Sequence, residues 1–279
     1  MKNKKLPKVS IVITCFNYGK FIDEAIQSVI NQTFRDFEII LIDDCSLDNY
    51  TVGRVQQLKY SPLFKRGSNK VVILDHNVGI GKARNIAIEK SLGRYILCLD
   101  ADDMIDKDCL AKMMLYIDKY DIVSCGFREF GSSSKTYIRQ YSKYSMCLEC
   151  LFPVTSLFKK EDWGRVGGFQ EKIENEDYNF WLTLINHGAL VKIIQQPLLF
   201  YRKHDNKNSR QDGVDRMSVN DRLQLQELKI ITNPKLFNWF IEEQKKFIKT
   251  LRKKLSKCKI FLGTSILINF IQVIVLLLR

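Results

Sequence analysis

Three carboxylates fall within four positions, at Asp100, Asp102 and Asp103, directly behind the apolar run from Tyr95 to Leu99. A buried strand gains nothing by ending in clustered negative charge, because each carboxylate raises the cost of ionising its neighbours unless a cation neutralises them. Residues i and i+2 of an extended segment point the same way, so Asp100 and Asp102 converge on one hard ion while Asp103 turns aside. Ligands that are all oxygen suit Mn2+ or Mg2+. An isolated Asp-x-Asp is more often a solvated acidic loop, and here the surrounding elements decide the matter.

Those elements alternate. Val9 to Thr14, Phe37 to Ile42, Val71 to Leu74, Tyr95 to Leu99 and Ile122 to Cys125 read as short strands. Tyr18 to Asn31, Ile80 to Leu92 and Lys107 to Lys119 carry helical patterns, with Phe21, Ala25, Ile26, Val29 and Ile30 on one helix face. This order predicts an α/β protein with a mostly parallel central sheet and helices on both faces, whose ligands bind outside the carboxyl ends of the strands. Polar residues gather at those ends: Thr14-Cys15-Phe16-Asn17, Asp43-Asp44-Cys45-Ser46, Asp75-His76-Asn77 and the aspartate cluster. Ser46 and Asp48 read as caps of the next helix, and Asp44 as an acceptor for a base or ribose.

With 279 residues, 46% of them hydrophobic, the chain buries a full core. Its eight cysteines lack zinc-ribbon spacing, Cys147-x-x-Cys150 has no partner pair, and several others sit in apolar runs as small core residues, which fits a reducing cytosol. The apolar run behind the basic N-terminus spans only Val9 to Ile13, too short for a signal peptide.

Read together, Val9 to Asn17, Asn31-Gln32-Thr33-Phe34, Glu38 to Ser46, Asn77-Val78-Gly79-Ile80-Gly81-Lys82-Ala83-Arg84-Asn85, Asp100-Ala101-Asp102-Asp103 and Gly167-Gly168-Phe169 leading to Glu176-Asp177 resemble the inverting family 2 glycosyltransferases with the GT-A, Rossmann-like fold. The resemblance covers roughly residues 8 to 210 and implies transfer of a sugar from a nucleotide diphosphate sugar, UDP-linked, to a glycan or lipid-linked acceptor. It implies that Thr14, Phe16, Asn17 and Asp44 hold the uridine. Asp102, with Asp100 and Asp103 in support, then binds the metal that bridges the phosphates.

Arg84 lies near the start of a helix opened by Gly79 and Gly81, where free N–H groups favour anions, and its charge is expected to reach the nucleotide. The segment is neither a dinucleotide fingerprint, which lacks its third glycine at position 84, nor a P-loop, since Ala83 follows Lys82. Glu176-Asp177 opens an apolar helical stretch, where acidic residues suit a first turn on any account. The resemblance makes Asp177 the base that takes the proton of the acceptor hydroxyl, with Glu176 as second choice or as an acceptor-orienting group. In Tyr201-Arg202-Lys203-His204 the histidine is expected at the metal or diphosphate, among the charges of Arg202, Lys203, Lys207 and Arg210. His76 and His187 read as surface or packing residues. Acceptor choice is expected to rest on the segment from about Gly126 to Tyr144, whose Gly131-Ser132-Ser133-Ser134 run reads as a mobile loop.

The predicted organisation is a catalytic domain over 1–212, a basic helical extension over 213–259 and an apolar C-terminal helix over 260–279. Between Ile241 and Lys259 eight Lys or Arg stand against two Glu, and Ile260 to Leu278 is nineteen residues without charge. Spanning a membrane, lying on its surface and pairing in a homo-oligomer all fit that tail, and membrane association at the cytoplasmic face is the favoured reading. Nucleic acid is not expected as a partner, because the +13 net charge concentrates in the tail and no nucleic-acid-binding motif accompanies it. A non-catalytic nucleotide-sugar-binding protein on the same scaffold is the alternative.

Overall fold

Alternating side chains along two strands organise the molecule. In β1 (Val9–Cys15) every residue is buried, and in β2 (Phe37–Asp43) all but the first. Ile11, Ile13, Ile39 and Leu41 enter one core, while Val12, Ile40 and Ile42 enter another. Successive side chains of a strand point to opposite faces, so such a strand must be covered on both sides. On the first face lie α1 (Ile22–Ile30), α2 (Asn49–Tyr60), the short α3 (Pro62–Lys65) and α5 (Cys109–Met114). On the second lie α4 (Ile80–Glu89), α6 (Lys160–Val166) and α7 (Glu176–Asn186). Each large aliphatic side chain buried this way contributes about 1.5–3 kcal/mol.

The structure, a computed structural model, describes residues 6–65, 67–142, 145–147, 150–171 and 175–204. The basic extension and apolar tail expected over 213–279 lie outside these residues, as do Lys207 and Arg210. Among the described residues no helix is long and apolar enough to cross a membrane.

The remaining strands are β3 (Lys70–Ile73), β4 (Tyr95–Asp100), β5 (Met104–Ile105), β6 (Ile122–Gly131), β7 (Thr136–Tyr137), β8 (Leu157–Lys159) and β9 (Val191–Lys203). They form one sheet in the order β3-β2-β1-β4-β8-β6-β9-β5, with β7 paired to β6. The sheet is parallel from β3 to β4, as the sequence predicts. Beyond β4 it is mixed: β8 runs antiparallel to both β4 and β6, β9 is parallel to β6, and β5 is antiparallel to β9. β9 takes Pro197 at a register shift opposite Gly126, a place where a strand tolerates the missing N–H.

Within Gly126 to Tyr144, the Gly131-Ser132-Ser133-Ser134 run lies at the connection from β6 to β7. β6 runs on to Gly131 and β7 folds back on it, with Phe127 stacked on Tyr137 at 4.7 Å. Gly126 permits this approach, since a Cβ there would stand 2.6 Å from the Tyr137 carbonyl oxygen. The α-helix α1 also begins later than expected, at Ile22, because Gly19 is held in the preceding turn by its N–H donating to Thr51 Oγ1 at 2.8 Å. The cysteines Cys15, Cys98, Cys109 and Cys125 are buried and unpaired by disulfides, as expected of core residues.

Candidate active site at the rim of the parallel strands

Parallel register brings the ends of β1, β2 and β4 to one rim, with Cys15 beside Asp43 and Thr14 beside Asp100. Thr14 Oγ1 donates to Asp100 Oδ1 at 3.1 Å. Asn17 adopts a left-handed backbone (φ 60°), and its side-chain oxygen accepts from the N–H groups of Leu47 (2.7 Å) and Asp48 (3.2 Å). Its own N–H donates to Ser46 Oγ at 2.8 Å, and Ser46 Oγ donates to Asp43 at 2.5 Å. Ser46 is therefore a tie between two loops and not a helix cap. Asp48 does cap α2, accepting from Thr51 N–H at 2.8 Å. Within this knot Phe16 keeps 37% of its surface exposed. The buried Asp44 carboxylate accepts the N–H groups of Val78 (2.8 Å) and Gly79 (3.0 Å), joining the β2 loop to the start of α4, where Gly79 turns at φ 85°. A carboxylate with two donors retains acceptor capacity for a third.

The acidic cluster is shaped by β9. Its pairing of Phe200 with Met104 sets Tyr201 to His204 alongside Asp102 and Asp103. Asp103 is buried and accepts Arg202 N–H at 2.8 Å. Asp102 Oδ2 lies 2.8 Å from His204 Nε2, whose ring packs on Tyr18 and Phe21 at 5.4 and 5.2 Å. Burial, then repulsion from Asp100, pushes the Asp102 carboxyl up against the opposing pull of His204. Asp103 is pushed well above the usual range by burial and by Asp102 and Asp100.

A dication would relieve this crowding. Among the described residues no three His, Cys, Asp or Glu side chains form a complete ion cage. The residues present still fit Mg2+ or Mn2+, ions often held by one or two carboxylates and completed by substrate phosphates and water. Asp102 and His204 would hold such an ion, with Asp100 beside them.

Two basic residues expected to face a diphosphate are engaged by the scaffold. The Arg202 guanidinium lies between the rings of Phe21 (4.5 Å) and Phe130 (4.2 Å), with Nη2 on Glu24 at 2.7 Å and Nε on the Asp102 carbonyl at 2.8 Å. Lys203 Nζ stands 4.0 Å from Glu129. Both are held by carboxylates of the scaffold. His76 and His187 are surface residues bonded to Asp75 and to the Thr183 carbonyl, as expected.

Arg84, expected beside the nucleotide, is 2% exposed and lies between two carboxylates. Its Nη1 donates to Glu176 Oε1 at 2.6 Å and its Nη2 to Asp100 Oδ1 at 2.7 Å. Burial alone would favour its neutral form, but Asp100 and Glu176 outweigh it and hold the guanidinium charged. Next to Glu176, Asp177 accepts Tyr178 N–H at 2.7 Å. Loss of hydration, then repulsion from Glu176, pushes the Asp177 carboxyl up to about 6 despite Arg84. That value suits a general base near neutral pH.

Sequence reasoning missed Asn85 and Gly81 as positioning residues. Asn85 accepts from Phe169 N–H (2.9 Å) and Trp163 Nε1 (3.0 Å) and donates to the Phe169 carbonyl (2.7 Å), fixing the segment that leads to α7. A Cβ on Gly81 would stand 2.8 Å from the Gln170 carbonyl and 3.3 Å from Glu176 Cγ. Both lie in a motif the sequence displays, yet nothing in one sequence shows what they pack against.

A parallel half, a mixed second half and an acidic rim at the ends of the parallel strands make up the GT-A fold. The chain belongs to glycosyl transferase family 2, which matches residues 10–193. It is similar to the O-antigen biosynthesis glycosyltransferase WbnJ of Escherichia coli, 27% identical over 227 residues that cover 77% of this chain and 86% of that protein. Against three further curated relatives the aligned region covers 68%, 62% and 47% of their length. Among solved structures, S. aureus TarS 1-349 in complex with UDP-GlcNAc superposes with a TM-score of 0.63 at 21% identity, over 79% of this chain and 65% of that one. The mannosyltransferase PcManGT from Pyrobaculum calidifontis, in complex with GDP-Man and Mn2+, gives 0.57 at 19% identity, over 74% of this chain and 59% of that one.

Proposed function

We propose that this chain moves a sugar from a UDP-linked donor to a hydroxyl of a glycan or lipid-linked acceptor, with inversion at the anomeric carbon, in the synthesis of a cell-envelope polysaccharide. One observation carries the reading: Glu176 and Asp177 open α7 at the acidic rim, where the buried Arg84 ties Glu176 to Asp100 and burial raises the Asp177 carboxyl. Asp177 takes the acceptor proton as the hydroxyl attacks. Glu176, already bound by Arg84, orients the acceptor. Phe16 offers a flat exposed ring to the base, and Thr14, Asn17 and Asp44 build the loops around it. Asp102 and His204, with Asp100, would hold Mn2+ or Mg2+, and such an ion would supply positive charge for the diphosphate of the donor. The nucleotide sugars bound by TarS and PcManGT, and the Mn2+ in the latter, support donor class and metal. The basic and apolar tail supports association with the inner face of the cell membrane.

A panel of UDP- and GDP-sugars tests the reading, each scored with and without Mn2+ for thermal stabilisation and for hydrolysis or transfer. A UDP-sugar that both stabilises and turns over is the expected result. Stabilisation without turnover by any acceptor would make the chain a nucleotide-sugar-binding protein instead, and stabilisation by none would end the donor assignment.

A further inference from the structure

Arg84 is the described cation most fully withdrawn from solvent at this rim, and its two bonds join elements that carry opposite halves of the reaction. Asp100 ends β4 on the donor side, and Glu176 begins α7 on the acceptor side. The guanidinium is wedged beside Phe169, 5.6 Å from the ring centre, and Nε is buried without a partner. The side chain is 2% exposed and each terminal nitrogen already serves a carboxylate, so little of the guanidinium faces the donor rim.

We propose that Arg84 is a positioning residue for the general base and not a donor contact: by clamping Glu176 to the end of β4 it fixes the first turn of α7, and with it Asp177, against the donor rim. The inference rests on Asp177 being the base. Its neighbour Gly81 supports it, since the absence of a Cβ there lets α4 approach Glu176 closely enough for the clamp to close. Only an arginine spans the gap this way. A planar fork with donors on two nitrogens reaches both carboxylates at once, whereas a lysine offers one point charge. The clamp also places positive charge near Asp177. The charged groups acting on that carboxyl are Glu176 on its own helix, Arg84 on α4 and Asp100 on β4, and of these Arg84 alone favours the ionised form that accepts a proton.

The test compares Arg84→Gln and Arg84→Lys with the parent in the full-length chain, reading kcat, donor KM, the kcat–pH profile and UDP binding with Mn2+ by calorimetry. Arg84→Gln is expected to lower kcat by about 10²-fold through lost positioning and to move the acidic limb of the profile to higher pH, because the base loses its favourable charge. Donor KM and UDP affinity stay within about threefold of the parent, below the 10²–10⁴-fold scale of a lost catalytic contact. Arg84→Lys keeps the charge but not the span, so its limb stays near the parental position while kcat falls by roughly tenfold, between parent and Arg84→Gln. A rise of tenfold or more in donor KM or in the UDP dissociation constant, with kcat and limb unchanged in either variant, would overturn the proposal and make Arg84 a nucleotide contact. If Arg84→Gln fails to fold, Arg84→Lys decides by the same split between kcat and KM. Asp177→Asn run alongside separates the two claims. Parental turnover in that variant removes the base assignment itself, whereas an inactive Asp177→Asn with unchanged kcat and limb in the Arg84 variants removes the clamp alone.

Discussion

As the base proposed for this site, Asp177 could accept a proton only while ionised, so its raised carboxyl would set a pH limb. The sign follows directly: below about 6 the carboxyl is protonated and idle, and above it the base is available. The kcat of the parent is therefore expected to rise with pH through about 6 to a plateau, with a rate at pH 5 about tenfold below it. A rate independent of pH between 5 and 8 would contradict the assignment. The metal reading makes a separate demand on Asp102. EDTA should abolish transfer, Mn2+ should restore it, and Asp102→Asn should lower both turnover and Mn2+-dependent UDP binding, as calorimetry would register. Full activity in EDTA would exclude the metal. The crowding around Asp102 is legible in the sequence because acids clustered behind a hydrophobic strand repel one another until a cation neutralises them. The pairing of Arg84 cannot be read from sequence, because its neighbourhood has the pattern of an anion site, while the carboxylate of Glu176 that it bonds lies 92 positions further along.

Among the elements, the first four strands and the helices α1 and α4 can be read because period and length distinguish them, whereas the sequence pattern assigns no span to α2 or α3, between β2 and β3. β8, three residues long, and β9, which runs through Gln195-Gln196-Pro197, carry no such pattern. Their pairing, which turns a parallel sheet into a mixed one, depends on partners distant in sequence. The segment from Gly167 to α7 is equally dependent on tertiary contacts, chiefly those of Asn85. Asn85→Ala removes hydrogen bonds worth about 1 kcal/mol each and leaves the Phe169 N–H without its acceptor. The variant is expected to lose about 2–3 kcal/mol in urea unfolding. It should lose kcat more than donor affinity, because the segment it releases leads to Asp177. Stability within about 0.5 kcal/mol of the parent, the range of an ordinary surface substitution, would mean that the bonds are replaced by water.

For the whole molecule, every proposed site residue precedes position 205, in the part of the chain that carries both cores seen among the described residues. Truncation near Asn238 should therefore release the protein from membranes into the soluble fraction while transfer to a short soluble acceptor survives. High salt separates two forms of attachment, since a surface-bound basic helix washes off and a spanning segment does not. A full-length chain that is monomeric and soluble without detergent would contradict membrane association, and a soluble dimer made monomeric by truncation would assign the tail to self-association. The tail's charge and apolar run are visible in the sequence, but charge and hydropathy alone do not choose among these fates.

The chemistry proposed for the chain has one direct readout, the configuration of the sugar in the product. With the UDP-sugar that the panel identifies, proton NMR of the transferred residue should show the anomeric configuration opposite to that of the donor. Asp177→Asn should bind the same donor with near-parental affinity and give about 10²- to 10⁴-fold less product. A product that keeps the donor's configuration, or an Asp177→Asn enzyme within about threefold of the parent, well short of a lost general base, would contradict inversion by a single carboxylate at this rim.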